Sequence, residues 1–337
     1  MKKRLFKRGL LCLAAALAVL LATSMEMSEH CRGDVNCDSK VNVNDVTSMI
    51  KYLLTDNYPQ TAIWLYDING DGFFNISDVT ALIDYLLTDE WKWSEPVPPL
   101  PDNADVFTVN GVSFAMIHVE GGTFMMGNNE ELNSRPVHQV TLSSYWIGET
   151  EVTSELWYAV MGGYSMYITT RGLQPVAYLN WDNCQEFITR LNELTGMEFH
   201  LPTEAQWEFA ARGGNLSHGY KYAGSDDIND VGWYNGNTPL GSSWHPYIKT
   251  KLPNELGLYD MSGGIAEFCL DGWSATYESP DPATDPLFYW EPVILVVRRG
   301  GNNSSSDDMC TVTRRDFCEH GDNFAGLRLA LGGVYSN

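Results

Sequence analysis

Residues 34–54, DVNCDSKVNVNDVTSMIKYLL, and 67–87, DINGDGFFNISDVTALIDYLL, repeat one pattern at a fixed offset of 33. A duplication of this size folds as two copies of one small unit that bury a shared face. Each copy opens with oxygen-bearing side chains at loop positions one, three, five, nine and twelve: Asp34, Asn36, Asp38, Asn42 and Asp45, then Asp67, Asn69, Asp71, Asn75 and Asp78. Calcium needs such a set of hard oxygen donors around one tight loop, and the position-seven carbonyls would come from Lys40 and Phe73. Gly72 supplies the sharp turn in the second loop; Ser39 stands there in the first and is expected to weaken it. The competing reading is an acidic turn before a helix, with Asp45 and Asp78 only enriching the helix N-terminus. After each loop, Val46, Met49, Ile50, Leu53 and Leu54, mirrored by Val79, Leu82, Ile83, Leu86 and Leu87, follow the spacing of an amphipathic helix.

The pair resembles the type I dockerin module, and aspartate at position twelve agrees with that family. The resemblance implies two calcium loop-helix units that present a helix face to a cohesin-like domain on a scaffold or the cell surface. It places Val43, Asn44, Ile76 and Ser77 at the partner-recognition positions.

Around the repeats the chain changes character. MKKRLFKRG, the apolar run Leu10 to Leu21 and the small residues after it read as a secretory signal over residues 1–24, with no membrane span after its cleavage. SEPVPPLPDNAD, with prolines at 96, 98, 99 and 101, reads as a semi-rigid linker over 91–106, between the repeats at 31–90 and a larger domain at 107–333. A formal charge of −22 repels phosphates, so no nucleic acid is expected as a partner. Past the signal lie Cys31, Cys37, Cys184, Cys269, Cys310 and Cys318, whose pairing sequence cannot choose; Cys31 with Cys37 and Cys310 with Cys318 are close enough for local disulfides, and unpaired buried thiols are the alternative.

From Phe107 onward the grammar is short strands, glycine turns and a few helices, which predicts an α+β domain. In LPTEAQWEFAARGG, Thr203 and Gln206 have capping-box spacing, Trp207, Ala210 and Ala211 form the expected inward face, and Gly213–Gly214 stop the helix. A second helix over Trp181 to Thr195 carries Cys184, Phe187, Ile188 and Leu191 on one side.

GGTFMMG, EVTSELWYAVMGG, LPTEAQWEFAARGG, PNELGLYDMSGGIAEF, RRGG and GLRLAL occur in the order found in the formylglycine-generating, or sulfatase-modifying factor, family. The resemblance covers residues 107–331 and implies that family's irregular fold, related to C-type lectins. Its oxidases turn a client cysteine into formylglycine with copper held by two cysteines, four and nine residues beyond the glycine pair. Those positions here are Ser305 and Cys310. Copper(I) prefers soft thiolates, and a hydroxyl is a poor substitute, so a binding domain without catalysis is expected. The oxidase alternative would keep Cys310 as its one catalytic residue and need rescue by Cys318 or Met309.

The resemblance also implies a calcium loop in YDMSGGIAEF, with carboxylates from Asp260 and Glu267 and carbonyls from Gly263 and Ile265; the alternative is a solvated polar turn. Between RRGG and GLRLAL lies a polar run. Asn302, Asn303, Ser304, Ser305, Asp307, Thr311 and Thr313 are candidates to bind an unknown protein or glycan ligand, against the reading of a plain surface loop. This layout also resembles variable proteins diversified by retroelements. No HExxH, HxxxH or GxSxG pattern supports metalloprotease or serine-hydrolase chemistry. The expected protein is secreted, docked through its calcium repeats, and associated with polysaccharide breakdown.

Overall fold

The computed structural model describes residues 42–55, 76–88, 100–162, 173–238, 246–277, 282–288, 294–322 and 325–333. The signal segment, Cys31, Cys37, the ligand positions Asp34, Asn36, Asp38, Lys40, Asp67, Asn69, Asp71, Phe73 and Asn75, and most of the proline linker lie outside these. The chain divides into two compact units, Met1–Pro98 and Pro99–Asn337.

In the first unit the duplicated stretches form helices α1 (Val43–Thr55) and α2 (Ile76–Thr88). Each begins where its loop aspartate sits. The Asn42 N–H donates to Asp45 Oδ2 at 2.8 Å, and Asn42 Oδ1 accepts from the Asn44 N–H at 2.9 Å, a local cap that fixes the helix start. Asp45 and Asp78 are buried, along with Val46, Met49, Val79 and Leu82. The apolar stripe is wider than the buried seam. Leu54 and Leu87, equivalent in the two repeats, are 82% and 78% exposed, and Ile50, Ile83 and Val43 are also exposed. The expected inward face is thus only partly used within the unit.

The second unit is mixed α and β. Strands β1 (Ala104–Val109), β2 (Val112–Val119), β5 (Tyr145–Gly148), β11 (Ala330–Leu331) and β6 (Phe199–His200) make one antiparallel sheet in the order β1-β2-β5-β11-β6. β3 (Gly122–Met126) and β4 (His138–Leu142) pair antiparallel, with β8 (Ala283–Thr284) parallel beside β4. β10 (Asp316–Glu319), β9 (Leu295–Arg299) and β7 (Glu267–Gly272) form a third antiparallel group. Helices α3 (Ser154–Met161), α4 (Trp181–Thr195), α5 (Glu204–Ala211) and α6 (Ile228–Val231) complete it.

Two cores flank the main sheet. On β2, Met116 packs into the core shared with α3 and α4, while Ile117 and Val119 pack into the one built around α5. A strand covered on both faces explains the nearly continuous apolar run FAMIHV. α4 starts at an Asn180/Asn183 capping box and ends at Gly196 in the left-handed region, φ 69°. α5 has its Thr203/Gln206 box as expected, but all eight of its residues are buried, not the three of one face. Its position inside the second core leaves no solvent side, so the buried Glu204 and Glu208 must find cations. Arg315 Nε and Nη2 reach the Glu204 carboxylate at 2.6 and 2.7 Å, and Arg299 and Arg212 take Glu208.

Candidate functional site

β9 delivers Arg299, which is wholly buried and places its guanidinium 5.2 Å from the Trp207 ring centroid. The same group donates to the carbonyls of Val312, Thr313 and Arg314, so it ties down the chain just beyond the polar run. Gly300 and Gly301 then turn the backbone with φ of 89° and 68°. A Cβ on Gly301 would lie 2.7 Å from Cys310 Sγ and 2.8 Å from the Met309 carbonyl, so this site requires glycine for both shape and space.

The loop that follows closes on itself. Ser305 Oγ accepts from the Asn302 N–H and donates to Asn302 Oδ1, both at 3.1 Å, while Asn302 Oδ1 also takes the Ser304 N–H at 2.9 Å. A single 3-10 turn, Asp307–Cys310, swings the thiol inward. Cys310 is fully buried among Tyr222, Ile228 and Val231, and its thiol donates to the Ser306 carbonyl at 3.6 Å. Burial, then the nearby Asp307 and Asp308, push this thiol up to about 12.

The thiol is therefore expected to be inert. At pH 8 the native chain should alkylate at Cys310 about a thousandfold more slowly than after unfolding in urea, since the thiolate fraction falls tenfold per unit of raised pKa. Peptide mass analysis after timed iodoacetamide treatment reads this directly; comparable native and unfolded rates would contradict it.

Cys184, Cys269, Cys310 and Cys318 are all free and buried. The local disulfide between Cys310 and Cys318 does not form. Cys318 sits on β10 and packs into the core of α3 and α4, whereas Cys310 belongs to a separate small cluster. For the same reason Cys318 is not a second sulfur for a metal at Cys310.

The candidate ligand-binding residues split into two groups. Ser304 and Asp307 are exposed, and Asn302 and Ser305 are half-buried. Asp307 takes the Tyr222 hydroxyl at 3.2 Å and faces Lys221 at 3.7 Å. Asn303, Thr311 and Thr313 are buried instead. Thr311 and Thr313 donate to Glu131 Oε1 at 3.2 and 2.9 Å, which makes them supports of the loop and removes them from its surface.

At the candidate calcium loop, Asp260 has φ 61°, with Gly263 and Gly264 also left-handed. Asp260 Oδ2 accepts the Lys249 N–H at 2.8 Å. Glu267 is already committed: Arg328 grips both its oxygens at 2.7–3.0 Å, and the Trp207 indole donates to Oε2 at 2.6 Å. Glu151 had no signal in the sequence as a loop member. Both its carboxylate oxygens are buried without a hydrogen-bond partner among the described residues, and a Cβ on Gly264 would lie 3.3 Å from Oε1. Burial and then Asp260 hold Glu151 well above the usual carboxylate range, and burial raises Asp260 itself to about 6.

Three buried carboxylates around one buried guanidinium leave a shortage of positive charge that a divalent cation would fill, and hard oxygens suit calcium. No group of three or more histidine, cysteine or carboxylate side chains converges in ligating geometry among the described residues. With Glu267 gripped by Arg328, the available donors are Glu151, Asp260 and the backbone carbonyls of Gly263 and Ile265.

Comparison with known proteins follows these boundaries. Residues 105–332 match the family described as sulfatase-modifying factor enzyme 1-like domain, and residues 32–87 match the dockerin type I domain. The chain is 30% identical over 217 residues to the chaperone protein LppX of Paenibacillus barcinonensis, covering 50% of this chain and 75% of that protein. It is 32% identical over 130 residues to the formylglycine-generating enzyme of Streptomyces coelicolor, covering 35% of this chain and 39% of the enzyme. Among solved structures, Treponema denticola variable protein 1 superposes with a TM-score of 0.60 at 29% identity, covering 68% of this chain and 99% of that one. Among the described residues no helix is long and apolar enough to cross a membrane.

Proposed function

Because the chain belongs to the sulfatase-modifying factor family and carries a type I dockerin domain ahead of that region, we propose that it is a docked binding protein that has lost the family's copper chemistry. The observation that carries this reading is the pairing of Ser305 with Cys310: a hydroxyl engaged with Asn302 where a second sulfur is needed, beside a single thiol that burial keeps protonated. The surface left by Asn302, Ser304, Ser305 and Asp307 is small, polar and hydrogen-bonding, and it binds a protein or glycan ligand. The likeness to a variable protein favours binding at this loop and makes a retroelement-diversified protein the second reading. A near-copy of the gene's last segment beside it, differing mainly at template adenines, would support that version.

The dockerin repeats hold calcium through the loop oxygens of Asp34, Asn36, Asp38, Asn42 and Asp45 and their counterparts in the second repeat. They attach the protein to a cohesin-like domain on a scaffold or cell surface, with Val43, Asn44, Ile76 and Ser77 at the contact. Secretion, from the amino-terminal leader, and a setting in polysaccharide breakdown complete the proposal. The test of the catalytic half is direct. Copper-loaded full-length protein, incubated aerobically with a cysteine-containing sulfatase peptide, is expected to leave the cysteine unchanged by mass spectrometry; accumulation of formylglycine would overturn the reading.

A further inference from the structure

Two of the four buried thiols, Cys184 and Cys318, belong to one core cluster. α4 begins against the end of β10: the Trp181 N–H donates to the His320 carbonyl at 3.4 Å, the two rings lie 4.9 Å apart, and Asp182 Oδ1 is 3.5 Å from His320 Nε2. Cys184 follows Trp181 by three residues, one helical turn along the same face. Cys318 precedes His320 by two residues and lies on β10, one residue before that strand ends at Glu319. Cys318 pairs in register with Val296 of β9, and both belong to the core that also contains Cys184; Leu295 and Val297, on the other face of β9, pack with the opposite core. The Trp181–His320 contact, the shared core and the Cys318–Val296 register therefore place Cys184 and Cys318 close together. The electrostatic influence of Cys318 on the Cys184 thiol agrees with that proximity.

We propose that Cys184 and Cys318 form a redox-dependent disulfide that staples α4 to β10. The site is asymmetric. Cys184 is 0% exposed and Cys318 is 7% exposed on a strand at the edge of its sheet, so Cys318 is the point of entry. Burial raises the Cys318 thiol to about 11 and the Cys184 thiol well above its ordinary value, so the exchange is slow and runs at alkaline pH. With oxidised glutathione as the oxidant, the Cys318 sulfur loses its proton and attacks one glutathione sulfur, and the other glutathione leaves as a thiolate. The deprotonated Cys184 sulfur then attacks the mixed disulfide at Cys318 and displaces the second glutathione. The protein ends with one new S–S bond and two fewer thiol protons; the two released glutathiones carry those protons and the two electrons.

The full chain is equilibrated in oxidised glutathione, its remaining thiols are alkylated in denaturant, and it is digested without reduction. A peptide pair joined through Cys184 and Cys318 is expected, together with a melting temperature for the large domain raised by on the order of 10 °C relative to the reduced chain. Recovery of both residues fully alkylated would overturn the proposal, as would Cys318 carrying only glutathione. In Cys184→Ala the oxidised protein is expected to hold glutathione at Cys318 and to show no rise in melting temperature on oxidation. A rise of the same size in that variant would assign the stabilisation to another bridge and overturn the staple.

Discussion

Replacing Arg328 by methionine is expected to destabilise the large domain by roughly 3–5 kcal/mol, the range for removing one partner of a buried ion pair. The side chain is wholly buried and engages all three of its nitrogens: its Nε and Nη2 hold Glu267, its Nη1 holds the Gly148 carbonyl at 2.9 Å, and its Nη2 also holds the Tyr259 carbonyl at 2.9 Å. Methionine fills much of the volume but leaves Glu267 with only the Trp207 indole, next to Glu151 and Asp260, and orphans two carbonyls. Arg328→Lys keeps the charge but not the fork, and should recover only part of the loss. Equilibrium denaturation followed by tryptophan fluorescence measures both, since Trp207 shares Glu267. A loss below about 1 kcal/mol for the methionine variant would contradict the assigned role.

Calcium removal is expected to have a comparable effect on the other unit. Each helix there is 13 residues long, near the length at which isolated helices are marginal, and within the described residues the pair buries only Val46, Met49, Val79 and Leu82 as apolar anchors. Metal bound to the loops would supply what so small a core cannot. Excess EGTA should therefore melt α1 and α2, seen as a loss of helical circular dichroism and as rapid proteolysis confined to residues 31–90. The fragment beginning beyond the proline linker should survive the protease. Unchanged ellipticity and protection of the repeats after chelation would contradict the calcium dependence.

What the sequence disclosed was local, and what it concealed was distant. The Thr203/Gln206 box and the span of α4 from Trp181 to Thr195 depend on residues a few positions apart, and both are where the spacing put them. The duplicated helices were legible for the same reason. Ser305 and Cys310 could be located by counting from a glycine pair, because Gly301 is fixed by the thiol packed against it. The burial of α5 on every side was not legible, since the arginines that neutralise Glu204 and Glu208 come from β9, Arg212 and the segment before β10. Glu151 escaped for a related reason: an acid just before α3 reads as ordinary helix-start chemistry until the fold folds it against Gly264. Thr311 and Thr313 looked like surface residues because hydroxyls carry no burial signal; Glu131, far along the chain, is what turns them inward.

The most direct measurement of the central claim is the amount of copper(I) the full chain retains. Protein reduced and loaded with copper(I), then dialysed against a competing chelator, is predicted to keep no cuprous ion that depends on Cys310, because one protonated thiol beside a serine hydroxyl offers too few soft donors. One tightly retained copper per chain, lost on Cys310→Ser, would contradict the account.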